Sequence, residues 1–154
     1  MITRRIMLGL PLFLVGGGPS RAEAAPLRIL VLKTSGCGCC LSWIDHLEAA
    51  GFSVETKDLP NGRLMQEKLA AGLKPGLTSC HTGKISGYVI EGHVPAADIK
   101  RLLDERPDAV GLAVPNMPVG SPGMEFGTAE PYDVLLVHRD GTSVAYAKYP
   151  DRKS

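Results

Sequence analysis

The sequence predicts an α/β fold: a β-α-β-α-β-β-α run, then a long loop rich in proline, glycine and methionine, and an added C-terminal β-hairpin. Three observations carry the prediction. Short apolar runs with β-branched residues alternate with stretches of helical periodicity. Eighteen glycines and twelve prolines in 154 residues punctuate the boundaries between them. Three of the four cysteines fall within Cys37–Cys40, where the first strand gives way to the first helix.

Residues 1–24 read as a cleaved export signal. Arg4 and Arg5 precede a ten-residue apolar run from Ile6 to Val15, and Ala22-Glu23-Ala24 offers small residues at a peptidase site. The run is too short to span a bilayer. Thr3-Arg4-Arg5-Ile6-Met7-Leu8 approximates a twin-arginine signal, although paired arginines also occur in general secretory signals, so both routes stand open. Residues 25–154 then form one domain, expected in the periplasm, where free thiols meet an oxidising environment.

Leu27 to Lys33 is a buried strand by its apolar, β-branched content. From Cys40 to Ala50 the period turns helical, with Leu41, Ile44 and Leu47 on one face and Gly51 as C-terminal cap. A second strand, about 53–59, leads to a helix over about 60–71 whose inward residues are Leu64, Leu69 and Met65. Two extended pieces follow, about 78–85 and 88–91, joined by Ser86-Gly87. Pro95 opens a helix to about Arg106, with Ile99, Leu102 and Leu103 as its stripe and Pro107 beyond its end. Gly111 to Pro131 shows no sustained period and reads as one long loop. Residues 132–138 and 142–149 flank Asp140-Gly141, a hairpin signal. Whether that hairpin extends the sheet or covers the loop is left open by the sequence.

This order of elements, with cysteines at the first strand-to-helix turn, is that of the thioredoxin fold. That fold usually places a cis-proline before its third strand. Here the corresponding stretch is Leu77-Thr78-Ser79-Cys80-His81, so a fourth cysteine stands near that place.

A formal net charge of +1 gives no basic field for phosphates, which argues against a nucleic-acid partner. No segment after the signal is apolar enough for membrane insertion. The acidic residues show no paired arrangement suited to acid/base work, and Trp43 reads as packing. The chemistry therefore rests on sulfur. At a helix N-terminus the unpaired N–H groups favour thiolate at Cys37 or Cys39. Cys37 and Cys40 form a C-x-x-C pair that would serve a thiol-disulfide oxidoreductase, one attacking and one resolving, but Cys39 and Cys80 are surplus to that task. Metal binding uses all four. Soft sulfur selects Cu(I), with zinc as the main competitor, and the adjacent Cys39 and Cys40 suit a polynuclear cluster better than one tetrahedral ion. His81 adds an imidazole, and Met117 and Met124 add thioethers to the candidate ligands. His93 is a weaker candidate that caps a helix or lines the surface, while His46 and His138 read as solvated. Two plain alternatives are a structural Cys37–Cys40 disulfide and a structural zinc site of three cysteines with His81.

Several separated motifs share a resemblance. Cys37-Gly38-Cys39-Cys40 with Trp43 and Asp45-His46-Leu47, then Ser79-Cys80-His81-Thr82, Gly87 to Pro95, and Met117-Pro118 to Glu125 resemble the periplasmic copper-resistance family CopG. That family is a thioredoxin-like metal-binding domain formerly without an assigned function. The likeness runs from about Leu27 to Tyr149. It implies a domain that binds copper through Cys37, Cys39, Cys40 and Cys80 and helps bacteria tolerate excess copper, with a change of copper oxidation state as an added activity. Copper ions, and other periplasmic copper-handling proteins, are the expected partners.

Overall fold

A computed structural model describes residues 27–150, so the expected export signal at 1–24 lies outside the described residues. Eleven elements follow one another: β1 (Leu27–Lys33), α1 (Gly38–Ala49), β2 (Phe52–Asp58), α2 (Asn61–Ala70), a 3-10 turn (Pro75–Leu77), β3 (Thr82–Ile85), β4 (Tyr88–Gly92), α3 (Ala96–Glu105), β5 (Gly111–Val114), β6 (Tyr132–Val137) and β7 (Ser143–Tyr149). The strands form one mixed sheet in the order β2-β1-β3-β4-β5-β6-β7. The β1–β2 and β4–β5 pairs are parallel, as helix-bearing crossovers require, and the others are antiparallel. The α/β class and the expected order of the first seven elements are both present.

Three expectations are corrected. Gly111 to Pro131 is not loop throughout: Gly111–Val114 is β5, buried along its whole length beside β4. Buried on both faces, it shows no alternation, and four residues are too few to register as a strand. The second is the extent of the piece expected at 78–85, which becomes strand only at Thr82. The third concerns helix faces. In α1 the inward residues are Cys40, Trp43, Ile44 and Leu47, which keep the i, i+3, i+4, i+7 spacing, while Leu41 is 52% exposed. In α2 the inward pair is Leu64 and Lys68, and both Leu69 and Met65 are exposed. A lysine displaces a leucine from the inner face because a buried carboxylate, Glu91, waits for it.

The C-terminal hairpin extends the sheet: β6 pairs with β5 and β7 closes that edge. The main core joins both halves, running from Ile29, Val31 and Trp43 through Ile90 and Ile99 to Leu112 and Val134. Trp43 packs as expected and also donates its indole N–H to the Val94 carbonyl at 2.9 Å, tying α1 to the segment before α3.

Candidate metal centre

Sheet register brings the two cysteine segments together. β1 and β3 are antiparallel neighbours with Leu32 opposite Thr82. The chain leaving β1 and the chain entering β3 therefore meet at one end of the sheet. The first carries the turn into α1, where Cys37 is the N-cap and Cys39 and Cys40 lie in the first turn; the second carries Cys80 and His81. The sulfurs of Cys37, Cys39, Cys40 and Cys80 all lie within 4.8 Å of one another. Cys37 and Cys40 are joined as a disulfide, with Cα atoms 5.4 Å apart, and Cys39 and Cys80 are free. Cys39 Sγ sits 3.6 Å from Cys37 Sγ.

Two imidazoles back the Cys80 sulfur. His81 Nδ1 is 3.2 Å from Cys80 Sγ and His93 Nε2 is 3.1 Å from it. His93 Nδ1 lies 2.7 Å from the Pro122 carbonyl. A carbonyl only accepts, so Nδ1 carries the proton and the Nε2 lone pair faces the sulfur. His81 is stacked against Trp43, with ring centres 4.2 Å apart, and meets His93 edge-on at 5.0 Å. Among the described residues its Nε2 is buried with no hydrogen-bond partner. Burial holds both imidazoles below the ordinary histidine pKa, His81 well below it, so both are neutral and able to donate lone pairs. The Cys80 thiol is pushed up to about 12, by burial first and then by the neighbouring Cys39 thiol. It is a protonated thiol at neutral pH, and a soft cation binding there displaces its proton.

His93 is the residue whose part the sequence understated. Expected at a helix cap or the surface, it is fully buried in the site. His46, expected in solvent, is half-buried and accepts the Ala96 N–H at 3.0 Å, at the start of α3. The Pro/Gly/Met segment beyond β5 is a strap across this end of the sheet. Its Ser121-Pro122-Gly123-Met124 stretch is closed by bonds from Ser121 N to Pro118 O and from Met124 N to Ser121 O. Gly123, at φ +84°, lies so close to α1 that a Cβ there would stand 2.7 Å from Trp43 N and 2.9 Å from Cys39 O. Met124 is buried beside it, and Met117 is 37% exposed.

The donor set is sulfur and imidazole: the groupings of ligating side chains found among the described residues contain no carboxylate. Such donors fit a soft monovalent ion or zinc and poorly fit a hard, oxygen-seeking cation. An α/β protein with four converging cysteine sulfurs and two buried imidazoles belongs to the class of thiol-rich domains able to hold a metal.

Comparison with known proteins narrows the class. Residues 77–124 match the family described as "Protein of unknown function, DUF411". A solved structure named copper resistance protein copG, form 2, is 49% identical over 82% of this chain and 100% of its own, with a TM-score of 0.75. Form 1 is 48% identical over 82% of this chain and 99% of its own, with a TM-score of 0.76. No curated protein matches the sequence. The chain belongs to the CopG-like copper-resistance family.

Proposed function

We propose that this is a periplasmic copper-binding protein that holds Cu(I) as a cluster on the thiolates of Cys37, Cys39, Cys40 and Cys80, with His81 and the strap methionines Met117 and Met124 as further donors. The observation that carries the reading is the meeting of four sulfurs from two segments some forty residues apart within 4.8 Å. His93, the weaker candidate in the sequence, is strengthened by its 3.1 Å contact with Cys80. Copper is favoured over zinc by sulfur softness and by the copper-resistance proteins the chain is similar to. Residues 25–154 act as one exported domain after removal of 1–24. Among the described residues no helix is long and apolar enough to cross a membrane.

The strand order β2-β1-β3-β4, with the cysteines at the β1–α1 turn, favours a thioredoxin-like core and, with it, coupling of copper to thiol redox chemistry. The Cys37–Cys40 disulfide is the specific observation behind a second reading, thiol-disulfide exchange with Cys37 attacking and Cys40 resolving. The two readings part on the other two cysteines.

Anaerobic titration of the fully reduced protein with Cu(I) is the test. Uptake of more than one ion per chain, cut by Cys39→Ser and by Cys80→Ser, is the expected result. Uptake of a single Zn(II) with no preference for Cu(I) sinks the copper reading. Disulfide exchange that persists in both serine variants, with copper uptake unchanged, favours the oxidoreductase.

A further inference from the structure

Beneath the Cys80 turn lies a pair of charges that copper binding does not itself explain. Lys68 of α2 and Glu91 of β4 are 2% and 0% exposed and paired at 2.5 Å. Removing two charges from water costs several kcal/mol per ion, roughly, so a buried pair is a poor device for stability alone. Its hydrogen bonds show a different use. Glu91 Oε1 accepts the Ser79 backbone N–H at 2.6 Å, and Glu91 Oε2 accepts the Thr82 hydroxyl at 2.6 Å. Lys68 Nζ also donates to Thr82 Oγ1 at 2.9 Å. One carboxylate thus ties down the residue before Cys80 and the residue after His81. The end of β4 closes from the same side: Gly92 N donates to the His81 carbonyl at 3.1 Å, and at φ +70° a Cβ on Gly92 would stand 2.7 Å from the Ser79 Cβ.

We infer that Lys68, Thr82 and Glu91 are positioning residues that pin the Cys80-His81 dipeptide over the first turn of α1, so that its sulfur and imidazole meet the other three cysteine sulfurs. The pin is needed because the turn has somewhere else to go. A cavity of about 260 Å³, lined by Thr34, Leu64, Met65, Lys68, Ser79 and Cys80, opens between α2 and the turn. Without the carboxylate, Ser79 N–H loses its acceptor and the turn relaxes toward that space, carrying Cys80 away from the α1 thiols. Lys68 compensates the charge of Glu91, so the carboxylate can serve as a double acceptor in a dry setting. The purpose of the pin rests on the copper reading, but its geometry does not.

The test uses the full exported chain with the Cys37–Cys40 disulfide intact and reads alkylation of Cys80 by iodoacetamide, with Cys39 in the same molecule as reference. Glu91→Ala should speed Cys80 alkylation about tenfold relative to Cys39, as expected for loss of one buried hydrogen-bond acceptor. Glu91→Gln combined with Lys68→Met keeps an acceptor for Ser79 N–H without either charge. It should return the ratio to within about threefold of wild type. If Glu91→Ala does not fold, Glu91→Ala with Lys68→Met, which leaves no unpaired charge, takes its place with the same expectation. After full reduction, the displaced variants should take up Cu(I) like Cys80→Ser. An unchanged Cys80-to-Cys39 ratio in a folded variant lacking the Glu91 carboxylate overturns the inference. Absence of copper uptake by wild type overturns the copper reading and leaves the alkylation result standing.

Discussion

Replacing Gly123 by alanine tests whether the strap is pressed onto the cysteine turn. Two costs are separable. The first is backbone: φ +84° is left-handed territory, where a side chain costs about 1–2 kcal/mol. The second is steric, because the new Cβ would meet backbone atoms, Trp43 N at 2.7 Å and Cys39 O at 2.9 Å, which cannot swing aside as a side chain can. Overpacking of this kind costs about 1–3 kcal/mol. Gly127, in the same strap at φ +93°, isolates the first cost, since its nearest neighbour would be Val119 Cγ1 at an ordinary 3.8 Å. Urea unfolding followed by circular dichroism should therefore show Gly127→Ala destabilised by about 1–2 kcal/mol and Gly123→Ala by about 2–5 kcal/mol. A strap lifted off α1 also loosens the His93–Pro122 bond, so Gly123→Ala should speed alkylation of Cys39 and Cys80 where Gly127→Ala does not. Equal destabilisation by the two substitutions, with unchanged thiol reactivity in both, would refute the close contact.

Trp43→Phe removes the indole N–H from the Val94 carbonyl while keeping most of the apolar bulk; unfolding should show a loss of about 1–3 kcal/mol, and no loss would mean the bond contributes nothing. His46 carries a pH dependence. Burial lowers its folded pKa below the unfolded 6.5, so the unfolded chain binds the extra proton, and stability present above pH 6.5 declines as pH falls through that value. His81 and His93 are lowered in the same direction, so His46→Gln should flatten the acid limb of a stability profile without abolishing it. An identical limb in the variant would remove His46 from the account. Cys37→Ser should raise the free-thiol count of the oxidised protein above the two of wild type, Cys39 and Cys80, by liberating Cys40; no increase would mean that Cys40 has found another partner.

The first four strands, the three helices and the C-terminal hairpin were legible from local signals such as the apolar β-branched residues in β1, Pro95 and Pro107 around α3, and Asp140-Gly141 between β6 and β7. β5 was not, because four residues buried on both faces lack alternation. The cysteine cluster was legible from spacing and from the fold order that places Cys80 near it. The histidine behind it was hidden for a physical reason. His93 becomes a donor toward Cys80 only because the strap's Pro122 carbonyl, 29 residues away, fixes its tautomer, and nothing local announces so distant a contact. Lys68 misled in a similar way: a lysine on the inner face of α2 breaks the apolar pattern unless Glu91 of β4 is known to lie opposite. One signal was available in hindsight, since Glu91 and His93 stand in an otherwise apolar stretch from Val89 to Val94.

The redox half of the proposal makes a prediction that electron counting can decide. Forming the Cys37–Cys40 disulfide from two thiols releases two electrons and two protons. Cu(II) accepts one electron, so two Cu(II) ions become two Cu(I) ions for each disulfide closed. The sulfurs needed to hold the product are then supplied by the cysteines left out of the bond: Cys39 and Cys80 stay free, and Cys80 has neutral imidazoles at 3.1 and 3.2 Å. Reduced protein mixed anaerobically with Cu(II) should lose two thiols and yield two Cu(I), measured by a Cu(I)-specific chelator after denaturation, and peptide mapping should place the new disulfide at Cys37–Cys40. Cys40→Ser should slow the reaction strongly, because any other pairing must either join Cys80 to the α1 turn or strain neighbouring residues. Loss of all four thiols would mean that the second pair is also oxidised, leaving no thiolate to retain the ion. Cu(I) formed without loss of thiols would place the reductant outside the protein. In that second case the cysteines of α1 would be ligands or structural staples, but not the electron source.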